Sequence, residues 1–262
     1  MLNFYSQTLT AFLVFCLSIL GINMIQLPKM QKLLQSEKII SVGDLEKEVE
    51  TEKFRLDLLK KLPTFGFDNV MANWTYIMFL LYFGDDQIRE KTGYSLSPEY
   101  FEYILEKDPK FIKAYLSLST STSMYAAMPD RAININKKGL KFLSAQLPKE
   151  SHFVWRYKGI DELLFLGDSQ AAKESFKSAA NWAKQHPDQQ SQEVARISQG
   201  TAKFLESNPD SKYAQIATWS MVLNNGVDKE TQKRAIAAIE NLGGKVILTP
   251  EGNYKIQLPP QD

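Results

Sequence analysis

Residues 165–180 read FLGDSQAAKESFKSAA. Gly167-Asp168 is a turn signal, and Ser169 opens a helical pattern. Ala172, Phe176 and Ala179 then recur at helical spacing. Two alanines around one aromatic make a helix face that is narrow at two points and bulky between them. Such a face suits close packing against neighbouring helices, so the stretch raises the question of whether the chain is built from repeated helical hairpins.

Outward from it, the same punctuation recurs. Ser97-Pro98 gives a cap followed by a first-turn proline, with Phe101, Ile104 and Leu105 on one face. Asp108-Pro109 precedes a helix expected over 111–125, and Met128-Pro129-Asp130 precedes one over 131–143. Further helices are expected over 152–166, 169–184, 191–206, 212–223 and 229–242, the last ended by Gly243-Gly244. Val70, Trp74, Ile77 and Leu81 mark an earlier helix, stopped by Phe83-Gly84-Asp85. The run LSLSTSTSM over 116–124 is read as helix, its small hydroxyl side chains allowing close approach of a neighbour. Val246, Leu248, Tyr254, Ile256 and Leu258 alternate on either side of a turn at 249–253, which predicts a β-hairpin packed on the last helices.

These positions resemble a tetratricopeptide repeat. Gly167-Asp168, Ala172, Phe176 and Ala179 follow its turn, small, aromatic, small spacing. Phe101, Ile104, Leu105 and Pro109 look like the second helix and closing proline of an earlier unit. Ala114, Tyr115, Leu118 and Ser119 look like the first helix of the next, with Ala132 and Gly139 continuing it after a one-residue slip. Tyr82-Phe83-Gly84-Asp85 resembles the turn of the first unit, and 86–96 reads as an insertion or altered spacing. The resemblance spans about residues 69–184. It departs from the family at Asn136, where an aromatic is expected, and in the step of 40 residues from Ala132 to Ala172 against about 34. A non-repeating helical bundle is the competing architecture.

The N-terminus has a different character. Residues 1–28 contain no charged side chain, and 9–25 read LTAFLVFCLSILGINMI. A spanning helix needs about 20 apolar residues. No basic leader segment and no A-x-A-like site precede a cleavage point, so an uncleaved transmembrane anchor is expected over 1–28. Lys29, Lys32 and Lys38 follow it, which places the main domain on the cytoplasmic side of a single-pass chain. A linker and amphipathic helix over 29–66 follow, with Leu45, Val49, Leu56 and Leu59 on one face, interrupted by Glu52, and Pro63 as the stop. The expected organisation is therefore an anchor (1–28), that linker and helix (29–66), an all-α tetratricopeptide-like α-solenoid (67–242), and a C-terminal hairpin with a tail (243–262).

Chemistry is sparse. The net charge of the 262-residue chain is +1, so no strong field holds nucleic acid. The single cysteine, Cys16, lies in the apolar run and allows no intrachain disulfide. His152 and His186 stand far apart, without clustered cysteines, and surface or capping roles are expected rather than a metal site. No G-x-S-x-G, no phosphate loop and no grouping of nucleophile, base and stabiliser is present. Neither enzyme activity nor a cofactor is expected.

What the resemblance implies is protein binding in the groove lined by the first helix of each pair. Carried onto this chain, the groove positions are Lys113, Leu116, Thr120 and Ser123 in one unit, and Tyr157, Asp161 and Leu164 in the next. The implied function is a membrane-anchored scaffold that binds membrane proteins and assists assembly of a complex. Membrane-anchored repeat proteins of cyanobacteria that help assemble photosynthetic complexes look similar in general plan. A stable accessory subunit of a membrane complex is the alternative, and an exported protein with a cleaved N-terminus is a third reading.

Overall fold

The computed structural model describes residues 2–35, 42–209, 211–224, 229–249 and 254–261. The chain divides into two compact units, Met1–Glu48 and Val49–Asp262.

In the first unit, helix α1 (Leu2–Gln35) runs through Pro28. From Phe12 to Met30 its large apolar side chains are exposed, among them Phe12, Phe15, Leu17, Leu20, Met24 and Ile25. The expected transmembrane helix is not supported: among the described residues no helix is long and apolar enough to cross a membrane. Polar side chains interrupt the apolar run. Ser18 Oγ donates to the Val14 carbonyl at 2.8 Å, and Asn23 Nδ2 to the Ile19 carbonyl at 3.0 Å, each turning back on its own helix.

Helix α2 (Val42–Lys61) falls where an amphipathic helix was expected. Leu56, with Val49 and Leu59 beside it, joins the first core. Glu52, which interrupts the apolar stripe, accepts a hydrogen bond from the Tyr100 hydroxyl at 2.5 Å. A carboxylate on the inner face is thereby satisfied.

The second unit continues as α3 (Asp68–Phe83), α4 (Asp86–Thr92), α5 (Ser97–Lys107), α6 (Ile112–Leu118), a π-helical turn (Ser119–Tyr125), α7 (Pro129–Leu140), α8 (His152–Leu164), α9 (Ser169–Ala183), α10 (Gln189–Ser207), α11 (Lys212–Asn224) and α12 (Lys229–Asn241). Strands β1 (Lys245–Leu248) and β2 (Tyr254–Gln257) close it as an antiparallel pair, Lys245 opposite Gln257 and Leu248 opposite Tyr254. The helices pack largely in chain order: α3 on α5, α5 on α7, α7 on α8, α8 on α9, α9 on α10 and α11 on α12. This sequential stacking is compatible with a helical-repeat architecture.

The stretch 165–180 shows how one hairpin is made. Gly167 takes a positive φ of 66°, and the Asp168 carboxylate caps α9 by accepting from the Ala171 N–H at 2.9 Å. Ala172, Phe176 and Ala179 are all buried. A Cβ at Gly159 of α8 would stand 3.2 Å from Ser175 Cβ and 3.3 Å from the Phe176 ring, so α8 and α9 approach closely there. The first core gathers aromatics from several helices, with Phe79 and Phe101 centroids 4.5 Å apart, edge to face.

Two details lie beyond the sequence reading. Residues 86–96, read as an insertion or altered spacing, contain α4, capped by Asp85 accepting from the Ile88 N–H at 3.2 Å. On α3 the apolar spacing of Val70, Trp74, Ile77 and Leu81 marks the outer face, and all four are exposed. The buried positions are Ala72, Thr75, Phe79 and Tyr82. α3 is apolar on most of its circumference, so periodicity by itself does not choose the inner side.

Candidate functional site

The expected groove residues separate in the structure. α6 carries Lys113 and Leu116, both exposed. Thr120, on the π-helical turn, and Tyr157, on α8, are half-buried. Ser123, Asp161 and Leu164 are buried and present no side chain to a partner, which corrects the expectation for these three. Packing is the reason. C-terminal elements cover Leu164, which shares a core with Ile216, Trp219 and Ile239, and Met124 and Tyr125 pack against that core. Arg234 of α12 reaches the end of the π-helical turn, its Nη1 donating to the carbonyls of Tyr125 at 3.1 Å and Met124 at 3.4 Å.

Between the π-helical turn and α8 lies a polar interior. The Ser119 hydroxyl donates to Asp161 Oδ1 at 2.6 Å, and Oδ2 has no hydrogen-bond partner among the described residues. Burial pushes the Asp161 carboxyl up to about 7, opposed by the Ser119 and Ser123 hydroxyls and reinforced by the charge of Glu162. On the same helix, one turn before Asp161, the buried Lys158 ammonium donates to Glu162 Oε1 and, at 2.8 Å, to Ser175 Oγ. Ser175 in turn donates to Glu162 Oε2 at 2.6 Å. This three-member network gives both buried charges partners and joins α8 to α9.

His152 and His186 are also brought together. Both are buried, with ring centroids 5.8 Å apart, which corrects the expected surface or capping roles. His186 Nε2 lies 2.7 Å from the Ala145 carbonyl, whereas neither ring nitrogen of His152 has a hydrogen-bond partner among the described residues. Burial, with His186 nearby, lowers the His152 pKa and favours its neutral form. Among the described residues no group of three or more His, Cys, Asp or Glu side chains could hold a metal ion.

The surface of the second unit carries a groove between α5 and α7 that the sequence did not point to. It holds about 450 Å3, with Leu105, Ile135, Gly139 and Phe142 among its apolar lining. An ion-pair network flanks it. Arg131 donates to Glu99 at 2.8 Å and Glu102 at 2.6 Å, and Lys60 reaches the same two carboxylates at 2.9 and 3.2 Å. Burial raises the Glu99 pKa, but hydrogen bonds from Arg131 and Lys60 outweigh it and hold the carboxyl below its ordinary value. The groove draws on α2, α5 and α7, which lie far apart in sequence, and no motif in any one of them announces it.

No protein-family model, curated protein or solved structure matches this chain.

Proposed function

We propose that this protein is a tetratricopeptide-like scaffold that binds other proteins at a membrane and assists assembly of a membrane complex. The observation that carries this reading is the outer face of α3, where Val70, Trp74, Ile77 and Leu81 form an exposed apolar stripe at helical spacing. A stack of helical hairpins needs a polar outer face at each end to stay soluble, and α3 lacks one on this side. An apolar stripe of this kind gains free energy when a partner helix covers it. In this reading the exposed apolar side chains of α1 associate with the membrane, and Lys29, Lys32 and Lys38 after them assign the main domain to its cytoplasmic side.

The test places a photoreactive phenylalanine analogue at position 74 of the full chain in native membranes, with position 193 on α10 as control. The expected outcome is cross-linking to membrane proteins from position 74 alone. Absence of protein adducts at 74, or recovery of the chain outside the membrane fraction, overturns the reading. Substoichiometric, transient adducts fit an assembly role, and constant stoichiometry instead identifies an accessory subunit.

A further inference from the structure

We propose that the groove between α5 and α7 docks an acidic protein segment bearing one large apolar side chain. The inference rests on the protein-binding reading above and deepens it by naming a second surface and the chemistry of its occupant. The groove has an apolar floor: Leu105 and Ile135 are only 5% and 4% exposed, and both line it. At its edge Phe142 stands 64% exposed. A space of about 450 Å3 between these groups is a receptor for an apolar side chain.

The rim is basic although the chain as a whole is nearly neutral. This hollow and an adjoining one of about 430 Å3 share Glu102, Ile135, Lys138 and Lys141. Together they are lined by five basic side chains (Lys60, Arg131, Lys137, Lys138 and Lys141) against two acidic ones, Glu102 and Glu106. Both acidic side chains are engaged, and so are Lys60 and Arg131, which Glu99 also holds, leaving three lysines to set the charge of the rim. Glu102 holds Arg131 and Lys60, and Glu106 pairs with Lys107. Lys137, Lys138 and Lys141 are exposed and form no ion pair with any described residue. Lys137 and Lys138 lie in the last turn of α7, where cations suit the helix end. That does not account for Lys141 beyond the helix, nor for Phe142 exposed beside it. Unpaired ammonium groups around an apolar hollow complement a carboxylate-rich segment that inserts one apolar side chain.

The test measures fluorescence anisotropy of a labelled glutamate peptide with one central phenylalanine, titrated with the full chain in detergent. Saturable binding that weakens with added salt is expected. The double variant Lys138→Glu/Lys141→Glu, and separately Phe142→Ser, each weaken it about tenfold. All three positions are exposed, and circular dichroism confirms that the variants fold. Four results overturn the proposal: no binding of the peptide, unchanged binding by the variants, equal binding of a peptide with serine for phenylalanine, or loss in the variants only of binding to phosphatidylglycerol vesicles. Cross-linking from position 74 is read independently, so adducts there without peptide binding remove the groove and leave the scaffold reading standing.

Discussion

The Ser119 hydroxyl and the Asp161 carboxylate meet across 2.6 Å at the contact between the π-helical turn and α8. π-helical geometry is rare and occurs mostly as short interruptions of α-helices. Here it spans Ser119–Tyr125, and Ser119, Ser121, Thr122 and Ser123 are all buried in it. Small hydroxyl side chains let α8 approach, and one of them supplies the donor that a buried carboxyl needs.

Asp161 makes stability depend on pH in a definite direction. Its pKa rises from 3.8 to about 7 on folding, so the folded protein retains a proton that the unfolded chain releases. The contribution is full below the unfolded value and is lost as pH rises through the folded one. Asp161→Asn mimics the protonated form and removes this dependence. Urea unfolding is expected to find the variant more stable than wild type at about pH 8, by up to about 4 kcal/mol, with little difference below about pH 4. Parallel stability curves for the two proteins would show that Asp161 is not the group responsible.

Gly139 admits no side chain. A Cβ there would lie 1.9 Å from the Tyr115 hydroxyl oxygen and 2.7 Å from the ring carbon bearing it. Tyr115 is buried and its hydroxyl is held by the Pro109 carbonyl at 2.8 Å, so the ring cannot easily retreat. Gly139→Ala is expected to destabilise by about 1–3 kcal/mol despite the better helix propensity of alanine. Adding Tyr115→Phe relieves only part of the loss, because the ring carbons still clash. Thermal melts of the single and double variants decide the point.

Removing one member of the buried ion pair on α8 leaves the other uncompensated. Lys158→Met is expected to destabilise by about 3–5 kcal/mol, because Glu162 remains buried without its cation. Lys158→Met/Glu162→Leu recovers most of that loss. A double-mutant cycle in urea that returned simple additivity would contradict the coupling.

Arg234 ties α12 to the π-helical turn. Arg234→Met removes charge-assisted donation to two carbonyls and is expected to lower stability by about 1.5–3 kcal/mol. Hydrogen exchange should accelerate at the amides near Tyr125 more than in α9. Uniform acceleration would mean that the bond has no local role.

Much of the local architecture was legible. Asp168, Asp108-Pro109 and Met128-Pro129 mark helix boundaries because capping and the missing proline N–H act within a few residues. Ala114, Ala172 and Ala179 were identified by their spacing and are fully buried. The inner face of α3 was not legible, since its outer face offers an equally apolar periodicity. Nor was the proximity of His152 and His186, which only the path from α8 through α9 creates.

By itself the sequence determined most of the helical segments and where they turn, because those choices rest on near neighbours along the chain. The tertiary structure decided which faces stay open. It packed α11, α12 and the hairpin around Leu164 of α8, burying it. It shut Asp161 between α8 and the π-helical turn, and it brought residues of α2, α5 and α7 together around a groove. Burial and pairing depend on contacts between segments tens of residues apart, and no local spacing carries that information.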